Sequence, residues 1–441
     1  MDRSERDDSG VIRVGLLGCG NVGGALVEIL DRDGDTIARH LGLRLVVTRV
    51  AVRSISNARV EAVGRNRLTR DPHSVVSDPD VDVVVELIGG IEPARELITE
   101  ALKAGKPVVT GNKELLSTYG GELFAAAAAG GQALLFEAAV GGAIPLIRAL
   151  AVSLAGEPIV RVMGIVNGTT NFILSQMSDE RITYSEALGE AQRLGFAERD
   201  PSADVEGFDA SAKAAILASL AFDANVVAGD VYREGIDKIE LADIDFARRL
   251  GYTVKLLAVA ERVSDPSAPD TEIAVRVHPA MLPVEHPLAG VRGPFNAIFL
   301  EGAHAGELML YGRGAGGMPT ASAVLGDLIE VATNLNSGLR PRSTYRDQVT
   351  IRPIDELMTQ YYVTLDVADR PGVLAAVAAA FGAHSVSIRS MEQVGLGAEA
   401  RLVFITHVAK EADLQATLAE LGRLDAVERI GGLLRVIGAE H

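Results

Sequence analysis

Asp209 and Lys213 are spaced to do acid/base chemistry. They stand four residues apart in FAERDPSADVEGFDASAKAAIL, a stretch of helical composition, so both side chains fall on one helix face. Around them Ala210, Ala212, Ala214, Ala215, Ile216, Leu217 and Ala218 are apolar on almost every side, and the helix is expected to be buried. On a surface such a pair is an ordinary salt bridge worth about 0.3–0.5 kcal/mol. In the interior an ammonium is costly without a partner. A carboxylate that holds a lysine in a dry cleft is also how a proton-transfer group is made, since desolvation lowers the lysine pKa while the carboxylate orients it. Glu198, Asp200, Asp204 and Glu206 precede the pair in a loop with Pro201. Acids at a cleft suit a positively charged substrate group, and part of this set serves only to solvate the loop.

Two further stretches carry chemistry. Lys113 in TGNKELLS follows the apolar run KPVVTG, which puts it at the carboxyl edge of a sheet, where open α/β folds bind ligands. A cation at a helix start opposes the helix dipole, so its placement there calls for a reason beyond solvation. In VIRVGLLGCGNVGGALVEIL, Gly18, Gly20 and Gly23 form G-x-G-x-x-G between an apolar strand and a helix. That spacing permits a tight turn, close backbone approach to a pyrophosphate and strand–helix packing, with Asn21 and Val22 also facing the dinucleotide. The second strand, VTRVAVRS, lacks the acid that would hold an NAD ribose and ends at Arg53, with Arg49 before it. A guanidinium there suits the 2′-phosphate of NADP, although a solvated arginine would look the same and NAD use stays open.

The elements that must position these groups follow from hydrophobic patterning. VIRVGLL, LRLVVTRVAV, VDVVVELI, KPVVTG and ALLFEAA are continuous apolar strands between helical segments, which predicts a Rossmann-type, doubly wound parallel sheet over 1–144. Over 145–318 longer antiparallel-looking strands (VRVMGIVNG, YTVKLLAVAERV, IAVRVHPAML, AIFLEGAHAGELMLYGRG) alternate with helices, an α+β domain with a mixed sheet for substrate. A helix over 319–340 is expected to pack back on the first domain, followed by a Ser/Arg/Pro-rich linker over 341–357. From 358 to 441 the order β-α-β-β-α-β is ferredoxin-like.

Composition narrows the partners. A net charge of -17 and 4 % aromatic residues argue against nucleic acid. A lone cysteine, Cys19, permits no intrachain disulfide and suits a reducing compartment. No signal peptide is recognisable, and apolar stretches are interrupted before the roughly 20 residues a membrane span needs. A cytoplasmic protein is expected.

Nearly the whole chain resembles the homoserine dehydrogenase family, in its monofunctional form with a C-terminal ACT domain. The resemblance rests on GLLGCGNVGG, TGNKELLS, EAAVGGAIP, GIVNGTTNFIL and above all GFAERDPSADVEGFDASAKAAIL. It implies NAD(P)-dependent interconversion of L-homoserine and L-aspartate 4-semialdehyde, a step toward threonine, methionine and isoleucine. It implies Lys213 as acid/base, Asp209 as its orienter and a substrate contact, Glu198 on the substrate amino group and Lys113 between nicotinamide and substrate. Asn167, Gly168 and Thr169 offer further contacts, and Gly317 in GAGGMP returns to the cofactor. It also implies a monovalent cation such as sodium on main-chain oxygens of Glu137, Val140, Gly142 and Ile144, positions that would read equally as a glycine turn. DRPGVLAAVAAAF resembles the ACT signature, with Asp369, Gly372 and Val373 as effector positions and threonine as the expected effector; a module that only dimerises is the alternative, and the chain as a whole is expected to be a homo-oligomer, dimer or tetramer. Two other functions fit parts of the pattern: a dehydrogenase for another amino-acid semialdehyde or imine, and a ligand sensor built on a retired dehydrogenase. Retention of Lys113 together with Asp209 and Lys213 argues against the sensor.

Overall fold

Strands sandwiched between helix layers have no wet face, and in the first third of the chain VVVE and VVT are buried at every position, while RLVVTRVA keeps Arg44 and Arg49 exposed. The computed structural model describes residues 10–263, 272–339, 349–395 and 400–438. Strands β1 (Val11–Leu17), β2 (Arg44–Ala51), β3 (Leu68–Thr69), β4 (Val83–Glu86), β5 (Val108–Thr110) and β6 (Leu134–Leu135) lie in the order β3-β2-β1-β4-β5-β6. Their pairings are all parallel, and the strand order reverses between β1 and β4, where such sheets bind dinucleotides. Helix Asn21–Leu41 buries Leu26, Val27 and Leu30 in the same core as Val14 and Leu16. Each such side chain contributes about 1.5–3 kcal/mol on burial. Gly42, at φ 69°, ends the helix with its N–H on the Ala38 carbonyl. Helix Gly317–Ser337 adds Ala321, Val324, Leu328 and Val331 to that core.

The chain forms two compact units. One comprises Met1–Glu157, Ala215–Gly229 and Leu310–Gln348; the other comprises Pro158–Ala214, Asp230–Met309 and Val349–His441. The first holds the parallel sheet. The second is built on β7 (Ile159–Ile165), β8 (Tyr232–Arg233), β9 (Tyr252–Arg262), β10 (Glu272–Pro283), β11 (Phe295–Gly302) and the start of β12 (Gly306–Arg313). It continues through β13 (Thr350–Ile351), β14 (Met358–Val367), β15 (Ile388–Val394), β16 (Arg401–Thr406), β17 (Ala409–Lys410) and β18 (Val427–Val436).

These strands make one sheet in the order β12-β11-β7-β9-β10-β18-β14-β16-β15, with β8 and β13 also on β10 and β17 on β14. Its final stretch, β18-β14-β16-β15, is antiparallel. With helices Val373–Ala383 and Glu411–Leu421 it completes the ferredoxin-like module around Tyr361, Val377, Phe381, Phe404 and Leu414. β18 is the seam. It runs antiparallel to β14 and parallel to β10, where Arg435 and Val436 face Ala280 and Met281.

Several elements differ from the sequence expectation. VRVMGIVNG ends as a strand at Ile165, because Asn167 caps helix Gly168–Glu180 by accepting the Thr170 N–H at 2.8 Å. AIFLEGAHAGELMLYGRG is two strands, β11 and β12, joined through Gly306 at φ +69°. Residues 341–348 of the expected linker lie outside the described residues. In the rest of it, β13 pairs with Glu272 and Ile273 of β10. Among the described residues no helix is long and apolar enough to cross a membrane.

Candidate active site

Small side chains let helix Phe208–Ala221 sit deep in its surroundings: Ala210, Ala214, Ala215, Leu217 and Ala218 are all buried. Lys213 is 8 % exposed. Its Nζ donates to Asp209 Oδ2 and to the Val166 carbonyl, each at 2.7 Å, so the i,i+4 pair is an interior one. Asn167 is the hub beside it. Its Nδ2 donates to Asp204 Oδ1 at 2.7 Å and Asp209 Oδ2 at 2.9 Å, while its Oδ1 holds the Thr170 N–H. Thr169, in the same helix turn, donates its hydroxyl to the Phe196 carbonyl at 2.7 Å.

The acidic run thus divides by task. Asp204 turns inward to Asn167. Asp200 accepts the Ser202 hydroxyl and N–H, which hold its carboxyl below the usual range at the start of the short helix Ser202–Val205. Glu198 and Glu206 are exposed, and the Glu198 carbonyl accepts from Gln192 Nε2 at 3.2 Å. Asn296 was not legible as a site residue. It is 1 % exposed, donates to the Val166 carbonyl at 3.0 Å beside Lys213, and leaves its own Oδ1 buried with no hydrogen-bond partner.

In the first unit the three glycines do separate work. A Cβ on Gly18, at φ +97°, would meet the Leu87 carbonyl oxygen at 2.6 Å, and one on Gly23 would meet the Gly18 oxygen at 2.4 Å. Those two close the turn. A Cβ on Gly20 would meet nothing within 4 Å, so its front is open. The first turn of helix Asn21–Leu41 contains no acid, leaving its N-terminal dipole available to an anion. Asn21 is exposed and Val22 half-buried there, and a Cβ on Gly317 would come within 3.0 Å of the Asn21 oxygen. These features fit a dinucleotide pyrophosphate.

Arg53 is exposed at the end of β2, whereas Arg49 is engaged with Asp78 at 2.8 Å. Arg59 was missed in the sequence. It donates to the Ser54 carbonyl at 2.6 Å and hydroxyl at 3.0 Å, and to the Cys19 carbonyl at 3.4 Å, tying the end of β2 to the glycine turn. Burial raises the Cys19 thiol pKa, and Arg59 opposes that shift.

Lys113 is half-buried at the first position of helix Lys113–Gly130, just after β5. Asn112 caps that helix through Leu115 N–H at 3.1 Å and reaches the Gly90 carbonyl at 2.7 Å. Behind it, fully buried Glu86 accepts from Thr110 Oγ1 at 2.6 Å and from the N–H groups of Ile88 and Gly89 at 2.7 and 3.0 Å. An acid closing the apolar run VDVVVELI was its only sequence signal.

Glu137 is buried, with its carboxylate on the N–H groups of Ile147 and Arg148 at 2.8 and 2.9 Å. Burial raises its pKa against those bonds. Its own N–H donates to Asp327, whose carboxyl burial pushes up to about 8 although Arg148 lies 2.9 Å away. Val140 is extended and buried, and a Cβ on Gly142, at φ +59°, would lie 2.5 Å from the Gly314 backbone carbon. The Ile144 oxygen accepts the Leu146 N–H at 2.8 Å. In the second unit, exposed Asp369 and Gly372, at φ +92°, precede buried Val373 at the start of helix Val373–Ala383.

Comparison with known proteins identifies the family and the fold. Residues 18–137 match the homoserine dehydrogenase NAD-binding domain, 145–329 the homoserine dehydrogenase domain and 361–426 the ACT domain. The chain is 48 % identical over 438 residues to a homoserine dehydrogenase of Mycobacterium tuberculosis, spanning 98 % of this chain and 99 % of that one. A solved homoserine dehydrogenase from Thiobacillus denitrificans is 41 % identical, with a TM-score of 0.91 over 97 % of this chain and 99 % of that one. A hyperthermophilic archaeal homoserine dehydrogenase mutant solved in complex with NADPH is 29 % identical, with a TM-score of 0.60 over 73 % of this chain and 97 % of that one. With relatives matched from end to end and both its domain types and its fold shared with them, the chain belongs to the homoserine dehydrogenase family.

Proposed function

We propose that the chain interconverts L-homoserine and L-aspartate 4-semialdehyde with Lys213 as the group that moves the proton. The carrying observation is the part-buried hydrogen bond from Lys213 Nζ to Asp209 Oδ2 at 2.7 Å. In the oxidising direction the Lys213 amine takes the proton from the substrate hydroxyl oxygen as the carbon gives up hydride. In the reducing direction its ammonium returns that proton to the aldehyde oxygen. Asp209 orients the amine and is itself held by Asn167. Glu198 receives the substrate amino group, Thr169 and Asp209 contribute contacts, and Lys113 serves nicotinamide and substrate. The nicotinamide, when bound, supplies or accepts the hydride. Lys213→Ala tests the assignment. Turnover is expected to fall roughly a hundred- to ten-thousandfold while NADPH binding persists; retained turnover would remove Lys213 from the chemistry.

Gly18, Gly20, Asn21, Val22, Gly23 and Gly317 would hold the dinucleotide, and Arg53 favours NADP over NAD, with Arg59 and Ser54 beside it in support. Asp369, Gly372 and Val373 form the effector site, with threonine as feedback inhibitor. Main-chain oxygens of Glu137, Val140, Gly142 and Ile144 hold a monovalent cation such as sodium, a reading supported by the left-handed backbone at Gly141 and Gly142. The chain acts in the cytoplasm as a homo-oligomer, dimer or tetramer; exposed Leu308, Met309 and Tyr311 on edge strand β12 favour that assembly. The functional division is 1–144 for the dinucleotide, 145–318 for substrate, 319–340 as the returning helix, 341–357 as linker and 358–441 as the regulatory domain.

A further inference from the structure

Tyr232–Ile236 lies against two parts of the second unit that are distant in sequence. Its first residues form β8, parallel to β10. On one side stands Arg435 of β18, only 1 % exposed. The Arg435 Nη2 donates to Glu234 Oε1 at 3.0 Å and to Glu411 Oε1 at 2.9 Å, and its Nε donates to Glu411 Oε2 at 3.1 Å. Tyr361 donates to the same Glu411 at 2.7 Å, while Tyr232 donates to Glu234. One buried guanidinium therefore binds a carboxylate of the ferredoxin-like module to a carboxylate of the strap. Charge-assisted bonds away from water are both strong and directional.

The other side of the strap holds the approach to the catalytic helix. Ile236 N–H donates to the Val205 carbonyl at 2.8 Å. A Cβ on Gly235 would lie 2.4 Å from that same oxygen and 2.7 Å from the Glu206 Cα, so backbone meets backbone there without slack. The Arg233 guanidinium lies 3.4 Å over the Phe208 ring, and Gly207, at φ +83°, sits beneath the Arg233 side chain. Val205 to Phe208 is the segment that joins Asp204 to Asp209, the two carboxylates bridged by Asn167.

We propose that Arg435, acting through Glu234 and the Tyr232–Ile236 strap, is a positioning residue that fixes the loop from Asp204 to Asp209 and thereby the substrate-binding geometry beside Lys213. The C-terminal module is then a brace of the catalytic loop as well as a regulatory attachment. A shift of β18 moves Glu234, the glycine contact passes the shift to Val205, and Asp204 moves with it. This rests on the assignment of Asp209 and Lys213 as the reacting pair.

The test uses the full chain with Arg435→Lys, Gly235→Ala and both together, measuring kcat, KM for L-homoserine, KM for NADP and Tm. Arg435→Lys is expected to raise the homoserine KM about tenfold, equivalent to about 1.4 kcal/mol, with the NADP KM within about twofold of the parent. Gly235→Ala shifts the same constant, and the double variant resembles the more severe single one, because both changes break one link. Loss of folded enzyme alone would lower kcat at constant KM, so the KM shift separates positioning from stability. If Arg435→Lys does not fold, Glu234→Gln, which keeps an acceptor for Tyr232, examines the same link. An unchanged homoserine KM in a folded Arg435→Lys or Glu234→Gln protein overturns the proposal, as do fully multiplicative effects in the double variant. Failure of the reacting-pair assignment would show separately, as turnover surviving Lys213→Ala.

Discussion

Lys213 and Arg53 are both basic and answer to different surroundings. Lys213 is enclosed by small apolar neighbours and bound to Asp209 and the Val166 carbonyl, and the proposed function gives it the proton of the chemical step. Arg53 is exposed, and the proposed function sets it against a charge brought by the cofactor. Arg53→Ala is expected to raise the NADP KM about tenfold, roughly the 1.4 kcal/mol of one charge-assisted contact, while the NAD KM stays nearly fixed. Steady-state kinetics with both coenzymes checks this, and equal shifts would make Arg53 a bystander. The i,i+4 spacing of Asp209 and Lys213 was legible because helix geometry alone puts the two on one face. Asn296 and Arg59 were not legible, since each reaches its place through a fold-dependent approach of segments that the sequence leaves unpaired.

The glycine turn shows how one motif contains positions under opposite constraints. Gly20→Ala adds a methyl group to open space, so the protein should keep its Tm while NADP binding weakens several-fold, the added group standing where the cofactor approaches. Gly23→Ala drives a Cβ to within 2.4 Å of the Gly18 oxygen, so it should lower Tm as well as binding. Thermal unfolding with and without NADPH distinguishes the two, and identical Tm losses would contradict the division. The parallel strands β4 and β5 were readable because burial on both faces writes itself as an unbroken apolar run, while β1 and β2 carry Arg13, Arg44 and Arg49 and were readable from their β-branched content. β3, at Leu68–Thr69, is too short to carry any period. The pairing of β18 with β10 was unreadable for another reason: strand composition reports that a segment pairs without naming its neighbour.

The second unit buries several ionisable side chains, among them Asp243, Arg276, His278, Glu411 and Arg435, and pH should expose that. Fully buried His278 on β10 has its pKa pushed well below the ordinary value by burial, with Arg435 and Arg276 adding to the cost of another positive charge. The unfolded chain's imidazole takes a proton below about pH 6.5 and the folded one resists it. The unfolded state therefore binds more protons, so this contribution is intact above that pH and is lost on acidification, at up to about 1.4 kcal/mol per pH unit. His278→Gln should make the fall in Tm between about pH 7.5 and 5.5 smaller than in the parent. An equal fall in both proteins would assign the acid sensitivity to other groups.

The Arg435–Glu234 contact also has a consequence in time. Its two partners are 201 residues apart along the chain. Contacts of such separation form late, because the intervening loop must close before they give any return. During synthesis the loop from Asp204 to Asp209 leaves the ribosome long before Arg435 is made, so on the proposed coupling the nascent chain spends that interval with this segment lacking its brace and strand β18 still unwritten.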